Sequence, residues 1–168
     1  MLSVRNKTQQ HADNPITSVV CIVKKEGKYL FCKREDNSLW VLPGGKIEGR
    51  ETLEDAIRRE VLEETGIRIS KLKYRAKWKI PSFGEPQFIG VFESTGKISG
   101  NLTPSWESPE VAFLNNPEIA TKVPEYIQDL LKKLNSNQNF QHITANNFEI
   151  WVIVHYIYGK IKRFLRRK

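Results

Sequence analysis

A chain of 168 residues, 39% hydrophobic and 27% charged, is long enough for one ordinary globular domain with a core, and its composition excludes fibrous and wholly disordered classes. The net charge of +8 would point to a polyanionic partner if it were spread over the surface. It is not: Lys160, Lys162, Arg163, Arg166, Arg167 and Lys168 close the chain with no acidic residue among them, so the body is nearly balanced and no nucleic-acid partner is expected for it.

The opening residues, MLSVRNKTQQHADNP, contain no apolar run of the secretory kind, and a cytoplasmic protein is the default. Two cysteines, Cys21 and Cys32, are too few for a disulfide framework and read as buried free thiols. Residues 1–15 form an N-terminal extension. From Ile16 the β-branched run ITSVVCIV, the turn KKEGK and the run YLFCK predict a hairpin. SLWVL predicts a further strand ending at Pro43-Gly44-Gly45. Thr52 to Thr65 is the clearest helix: Thr52 with Asp55 makes a capping pattern, and Gly66 stands where a left-handed residue ends a helix. Strands are predicted at Leu72–Lys79, at Gln87–Glu93 and from Glu110 in EVAFL, and Val123, Ile127, Leu130, Leu131 and Leu134 recur at helical spacing. The polar stretch 135–147 reads as a linker and 148–168 as an apolar and basic tail. The order of elements implies an α/β fold, a mixed β-sheet with helices on its faces.

One segment asks for a chemical explanation. REVLEETGI places Glu60, Glu63 and Glu64 on the last turn of the first long helix. At roughly 100° per residue, Glu64 lies about 40° to one side of Glu60 and Glu63 about 60° to the other, the sector that Leu53, Ala56 and Ile57 already occupy. A merely solvated acidic face would lie opposite the apolar stripe. Clustered carboxylates at a helix C-terminus oppose one another and the helix dipole, so a positive charge must stand before them. Arg59 reaches Glu63 at i+4 but does not balance the set. Hard oxygen ligands without cysteine or histidine suit Mg²⁺ or Mn²⁺ better than zinc. The preceding loop, LPGGKIEGRE, lets main-chain groups approach a ligand closely.

Read together, GGKIEGRETLEDAIRREVLEETGI resembles the Nudix box at every defining position: Gly45, Glu51, Arg59-Glu60, aliphatic Val61, Glu63-Glu64, Gly66 and aliphatic Ile67. The likeness extends more loosely over Ile16 to Leu134, the stretch taken as the hydrolase domain (16–134). It implies an α/β/α sandwich and divalent-metal-dependent hydrolysis of a nucleoside diphosphate linked to another moiety, such as a nucleotide sugar or ADP-ribose. By position it implies Glu60 and Glu64 as principal metal ligands, Glu63 beside them and the Gly45 carbonyl completing the sphere. Glu51 joins through a second metal or pairs with Arg59, which orients the turn. The base in this family varies; Glu60 and Glu63 within the box, and Glu110, Glu107 or Glu93 outside it, are the candidates. A nucleoside triphosphatase, a hydrolase of capped RNA ends and a catalytically silent nucleotide-binding module are the rival readings.

For the small-molecule nucleotide substrate, Trp40, Phe88 and Trp106 are either stacking surfaces or core, and Lys46 and Arg58 either phosphate contacts or solvated surface. In the tail, Ile150, Ile153, Val154, Ile157, Ile161, Phe164 and Leu165 share one helical face opposite Lys162, Arg163 and Arg166. That pattern suits peripheral attachment to an anionic membrane, or packing within the chain or between copies of it. It is too short and interrupted for a comfortable span.

Overall fold

The computed structural model describes residues 15–81, 85–136 and 141–145; the N-terminal extension before Pro15 and the tail 148–168, with the membrane and self-association readings attached to it, lie outside these. Among the described residues no helix is long and apolar enough to cross a membrane.

The apolar run after Ile16 does not form a simple hairpin with YLFCK. Strand β1 (Ser18–Ile22) enters one sheet, and the chain then passes into β2 (Lys24–Lys25), which turns through Glu26 and Gly27, both at positive φ, into β3 (Lys28–Lys33) of another. Two left-handed residues are what a tight two-residue hairpin requires. The reason for the split is the alternation within β1. Val19 and Cys21 point to one core while Ile22 points to the other, so both faces are covered and the strand belongs in a sheet interior. After β4 (Trp40–Val41), which pairs with β3, and β5 (Gly44–Lys46), the helix α1 (Leu53–Thr65) begins. Thr52 caps it, its Oγ1 accepting the Asp55 N–H at 3.1 Å, and Gly66 ends it at φ 74°. The Asp55 carboxylate accepts from the Thr52 hydroxyl at 2.6 Å.

β6 (Arg68–Ile69), β7 (Leu72–Ile80), β8 (Gln87–Ser94), β9 (Ile98–Ser99) and β10 (Glu110–Leu114) follow. The main sheet runs β7-β8-β1-β5, with β1 and β8 parallel and β7 and β5 antiparallel to their neighbours; β10 and β2 flank β3 in the other sheet. Two further helices come late: α2 (Asn116–Lys122) and α3 (Glu125–Asn135). Sequence reading missed α2, although Asn115 and Glu118 form a reciprocal capping box around Pro117.

The linker reading of 135–147 also needs correction. Asn135 still belongs to α3, and His142–Thr144 forms β11, which adds a parallel edge strand to β7. Its ladder is made by main-chain groups and needs only one apolar anchor, Ile143, so it leaves almost no hydrophobic pattern to read.

The core has two halves. Ala56, Ile57 and Val61 of α1 pack with Val19, Cys21, Leu30 and Phe92. Tyr126, Ile127, Leu130, Leu131 and Leu134 of α3 pack with Phe31, Trp78, Ile89 and Val91 from the opposite faces of the strands. The result is an α/β/α sandwich, and it fixes the C-terminal end of α1 against β5.

Candidate active site

β5 carries Gly44 and Gly45 past the end of α1, and the close approach is made possible by missing side chains. A Cβ on Gly45 would overlap the Glu60 carboxylate, and one on Gly44, at φ 153°, would run into the main chain of Val19 and Val20. The Gly44 N–H donates to Glu64 Oε2 at 2.9 Å. Glycine loop and acidic helix are thus in direct contact.

The three glutamates are not equivalent. Glu64 is buried, 6% exposed, whereas the Glu63 side chain is 59% exposed. The single sector expected from sequence is therefore divided. Val61 and Thr65 are also fully buried, which moves the centre of the buried face toward Glu64 and leaves Glu63 roughly 100° away from Glu64 at about 100° per residue. Glu60 stands between them, half-buried and against Gly45.

Arg59 organises the outer side. Its Nε and Nη2 grip both oxygens of Glu51 at 3.1 and 2.7 Å, Nη1 reaches Glu60 Oε1 at 3.0 Å and Glu63 Oε2 at 3.3 Å, and Nη2 also bonds the Lys46 carbonyl at 3.1 Å. A planar five-donor fork suits such a set. Of the two roles open to Glu51 in sequence, this geometry displays the pairing with Arg59. That guanidinium, together with the Glu48 N–H at 2.7 Å, holds the Glu51 carboxyl below its usual range.

On the inner side burial dominates. It pushes the Glu64 carboxyl up to about 7, a rise to which the charges of Glu60 and Glu107 add and which the Gly44 amide and Arg34 oppose. Burial also raises Glu60, against the pull of Arg59 and with the charges of Glu63 and Glu107 adding to it. A cation in front of these groups would relieve both. Among the described residues no three such side chains are already drawn together as a ligand cage, since Arg59 holds Glu60 and Gly44 holds Glu64. The donors themselves are hard oxygens. The one sulfur nearby, on Cys32, is held as a neutral thiol by burial, so it offers no thiolate. The residues fit a hard divalent cation and not zinc.

Outside the box the candidates separate. Glu110 accepts from Lys33 Nζ at 2.6 Å and lies on the exposed edge of β10, whereas Glu107 acts electrostatically on Glu60 and Glu64. Glu93 is bound by Lys24 at 2.9 Å and by Arg75; burial alone would raise its carboxyl, but these two cations outweigh it and hold it low. Trp106 is 77% exposed beside Glu107, while Trp40 is half-buried and packs against the α3-side core. Phe88 is buried and belongs to the core face of β8, with Lys77 Nζ 4.9 Å from its ring centroid. Lys46 is exposed, and its carbonyl is what the Arg59 contact uses. Arg58 is turned away to Glu54 at 3.1 Å and the Ser70 carbonyl at 3.3 Å.

Sequence reasoning overlooked Arg34. Its guanidinium forks onto the buried Asp36 at 3.0 and 2.8 Å, and its charge acts on Glu64 and Glu107. An arginine two residues before an aspartate, just beyond an apolar strand, was the available signal.

The NUDIX domain model matches residues 13–134. The chain belongs to the NUDIX family. A MutT-like protein of Streptomyces ambofaciens is 31% identical over 128 residues, 74% of this chain and 81% of that protein. An ADP-ribose pyrophosphatase of Methanocaldococcus jannaschii is 32% identical over 127 residues, 71% and 75% of the two chains. Among solved structures, the MutT protein of Methanosarcina mazei Go1 superposes with a TM-score of 0.63 at 26% identity, covering 73% of this chain and 95% of that one. The protein is a Nudix hydrolase of α/β class acting on pyrophosphate bonds, and Nudix enzymes generally use divalent metals.

Proposed function

We propose that this Nudix hydrolase cleaves the pyrophosphate bond of a nucleoside diphosphate joined to a second moiety, with Mg²⁺ or Mn²⁺ as its metal. The observation that carries the reading is the contact of Glu60 and Glu64 with the Gly44-Gly45 turn. Two carboxylates of one element meet the main chain of another there at one place. Likeness to the Methanocaldococcus jannaschii ADP-ribose pyrophosphatase over most of both chains supports a nucleoside diphosphate derivative as the substrate.

In this reading Glu60, Glu64 and the Gly45 carbonyl would hold the cation, with the exposed Glu63 next to them on α1. A bound divalent ion supplies charge neutralisation for the phosphates and acidifies a water. The chain supplies the rest. Arg59 keeps Glu60 aimed inward and spends its remaining donors on Glu51 and the Lys46 carbonyl. Glu107, on the loop facing the acidic turn, takes the proton from the attacking water in preference to Glu110, which Lys33 engages. Trp106 offers a face for the base or sugar of the substrate, and Lys46 a charge for its phosphates.

The test is Glu60→Gln. The variant is expected to fold as the native chain does, by circular dichroism, and to lose metal-dependent release of nucleoside monophosphate from ADP-ribose and nucleotide sugars by about 100-fold or more, as for loss of a principal electrostatic contact. Turnover at the native rate would refute the assignment.

A further inference from the structure

We infer that Trp106 is a specificity-determining residue: its indole, mounted on a braced turn beside the acidic turn of α1, stacks on the base of the nucleotide, so that purine nucleoside diphosphate derivatives are preferred over pyrimidine ones. The inference rests on the proposed function, whose substrate it narrows.

Among the described residues Tyr74, Leu102 and Trp106 are the large hydrophobic side chains left exposed, and Trp106 is the most exposed, at 77%. Tyr74 lies on β7 and sets its ring edge-on to Phe92, with centroids 5.4 Å apart. Leu102 and Trp106 share the loop between β9 and β10. A single exposed apolar side chain needs no explanation on its own. Here its mounting supplies one.

The loop is fastened on both sides of Trp106 to elements that build the site. Before it, the Thr103 N–H donates to the Thr65 carbonyl at 2.9 Å, on the residue that follows Glu64. The approach is so close that a Cβ on Gly66 would strike the Asn101 carbonyl and the Thr103 side chain. After it, the Glu35 N–H, just past β3, donates to the Glu107 carbonyl at 2.9 Å. Between these points Ser105 and Ser108 are bonded to each other twice, the Ser105 N–H to the Ser108 carbonyl at 3.0 Å and the Ser108 N–H to Ser105 Oγ at 3.1 Å. Trp106 and Glu107 are the two residues held between them, and the fully buried Ser108 anchors the turn. The main chain that carries the indole is thus set before a ligand arrives, which lowers the ordering cost of binding.

The polar side chains that flank the indole are used by the loop itself. Ser105 Oγ accepts the Ser108 N–H, and the Thr103 hydroxyl donates to the Asn101 carbonyl at 3.2 Å. What the turn presents to a base is therefore a π face. Stacking on such a face tolerates any base and favours those that stack strongly. A two-ring purine covers more of an indole than a one-ring pyrimidine, so adenine and guanine are taken alike and uracil less well. A nucleotide with its phosphates at the acidic turn brings its nucleoside to this loop, because Thr103 is one hydrogen bond from the neighbour of Glu64.

The full-length protein is tested with Mg²⁺ and ADP-glucose, GDP-glucose and UDP-glucose, which differ in the base alone. Native KM is expected to be similar for the two purine substrates and several-fold higher for UDP-glucose. Trp106→Ala should raise KM about tenfold for the purine substrates and less for UDP-glucose, with kcat nearly unchanged, and Trp106→Phe should recover most of the loss. Binding without turnover is read with α,β-methylene-ADP, whose bridging methylene resists hydrolysis; it should quench the tryptophan fluorescence of the native protein and do so much less in Trp106→Phe. An equal rise in KM for all three substrates would assign the indole to the shared sugar and overturn the inference. So would the absence of a purine preference in the native protein, an unchanged KM in Trp106→Ala, or undiminished quenching in Trp106→Phe. Failure of the native protein to release nucleoside monophosphate from these substrates and from ADP-ribose would instead remove the proposed function, and the quenching would then decide by itself whether a base lies on Trp106.

Discussion

The acidic turn of α1 has an outer and an inner side, and they treat the same charge in opposite ways. Outside, Glu51, Glu60 and Glu63 converge on one guanidinium, that of Arg59, with Glu51 gripped through both oxygens. Inside, Glu64 receives a main-chain amide and is pushed up to about 7 by burial. Ion pairing quiets Glu51 and ties the glycine loop to the helix through the Lys46 carbonyl, while Glu60, held by Arg59 but raised by burial, belongs to both sides. A neutral amide keeps the inner carboxylate oriented without cancelling its charge. A site meant for a cation needs both: charge cancelled where the scaffold must hold, and charge left uncancelled where the ion must bind.

The contrast is broken most severely at Arg59. Arg59→Ala should leave three carboxylates facing one another and reduce turnover by about 100-fold, the upper end for partners that orient metal-binding groups. Arg59→Lys should restore little, because a point charge cannot grip Glu51 through two oxygens and reach Glu60 as well. Steady-state kinetics with ADP-ribose and Mg²⁺ would measure both; native activity in Arg59→Ala would mean that the outer side is decorative.

Next comes the glycine turn. Gly45→Ala should displace the flexible Glu60 carboxylate, not the main chain, so turnover should fall about tenfold or more with little change in melting temperature. Gly49→Ala is the informative contrast: its Cβ would meet nothing within 4 Å, but Gly49 sits at φ 54°, so strain should lower stability and leave kcat alone. The reverse pattern for the pair would dissociate Gly45 from the site.

A smaller effect separates the inner side by pH. The folded protein binds a proton on Glu64 more tightly than the unfolded chain does, since burial raises its carboxyl from the ordinary 4.5 to about 7. Stability from this group is therefore gained as pH falls through 7 toward the unfolded value and lost as pH rises. In metal-free protein the gain between pH 8 and 5.5 should be on the order of 2 kcal/mol. Glu64→Gln should flatten that component of the denaturation profile, and an unchanged profile would show that Glu64 is already solvated. Smallest of all is the thiol response. Both cysteines are free and buried, and burial pushes the Cys21 thiol up to about 12, so alkylation of the native chain should be negligible and that of the denatured chain should modify both. Rapid native labelling of either would place it at the surface.

What could be read beforehand depended on whether a residue's role is local. Thr52, Gly66 and the apolar stripe of α1 act within a few residues, and each behaves as its type and spacing require. The α3 stripe was equally plain, because its periodicity is strong. β11 was hidden, since a short edge strand is held by main-chain bonds that polar side chains do not betray. The hairpin was half right: its turn is local, but the assignment of β1 and β3 to different sheets depends on which faces are covered. Glu110 and Glu107 looked interchangeable in sequence, and only the path of the loop past β3 brings Glu107 to the acidic turn and Glu110 to Lys33.

The sequence by itself determined the family, the acidic turn and the glycine loop before it, because these are spacings along a chain and a helix converts spacing into direction. Tertiary structure alone decided which glutamate is buried, which cation each one meets and what stands behind Glu64. Those outcomes depend on the packing of β3 and β5 against α1, where residues far apart in sequence set one another's solvation and charge.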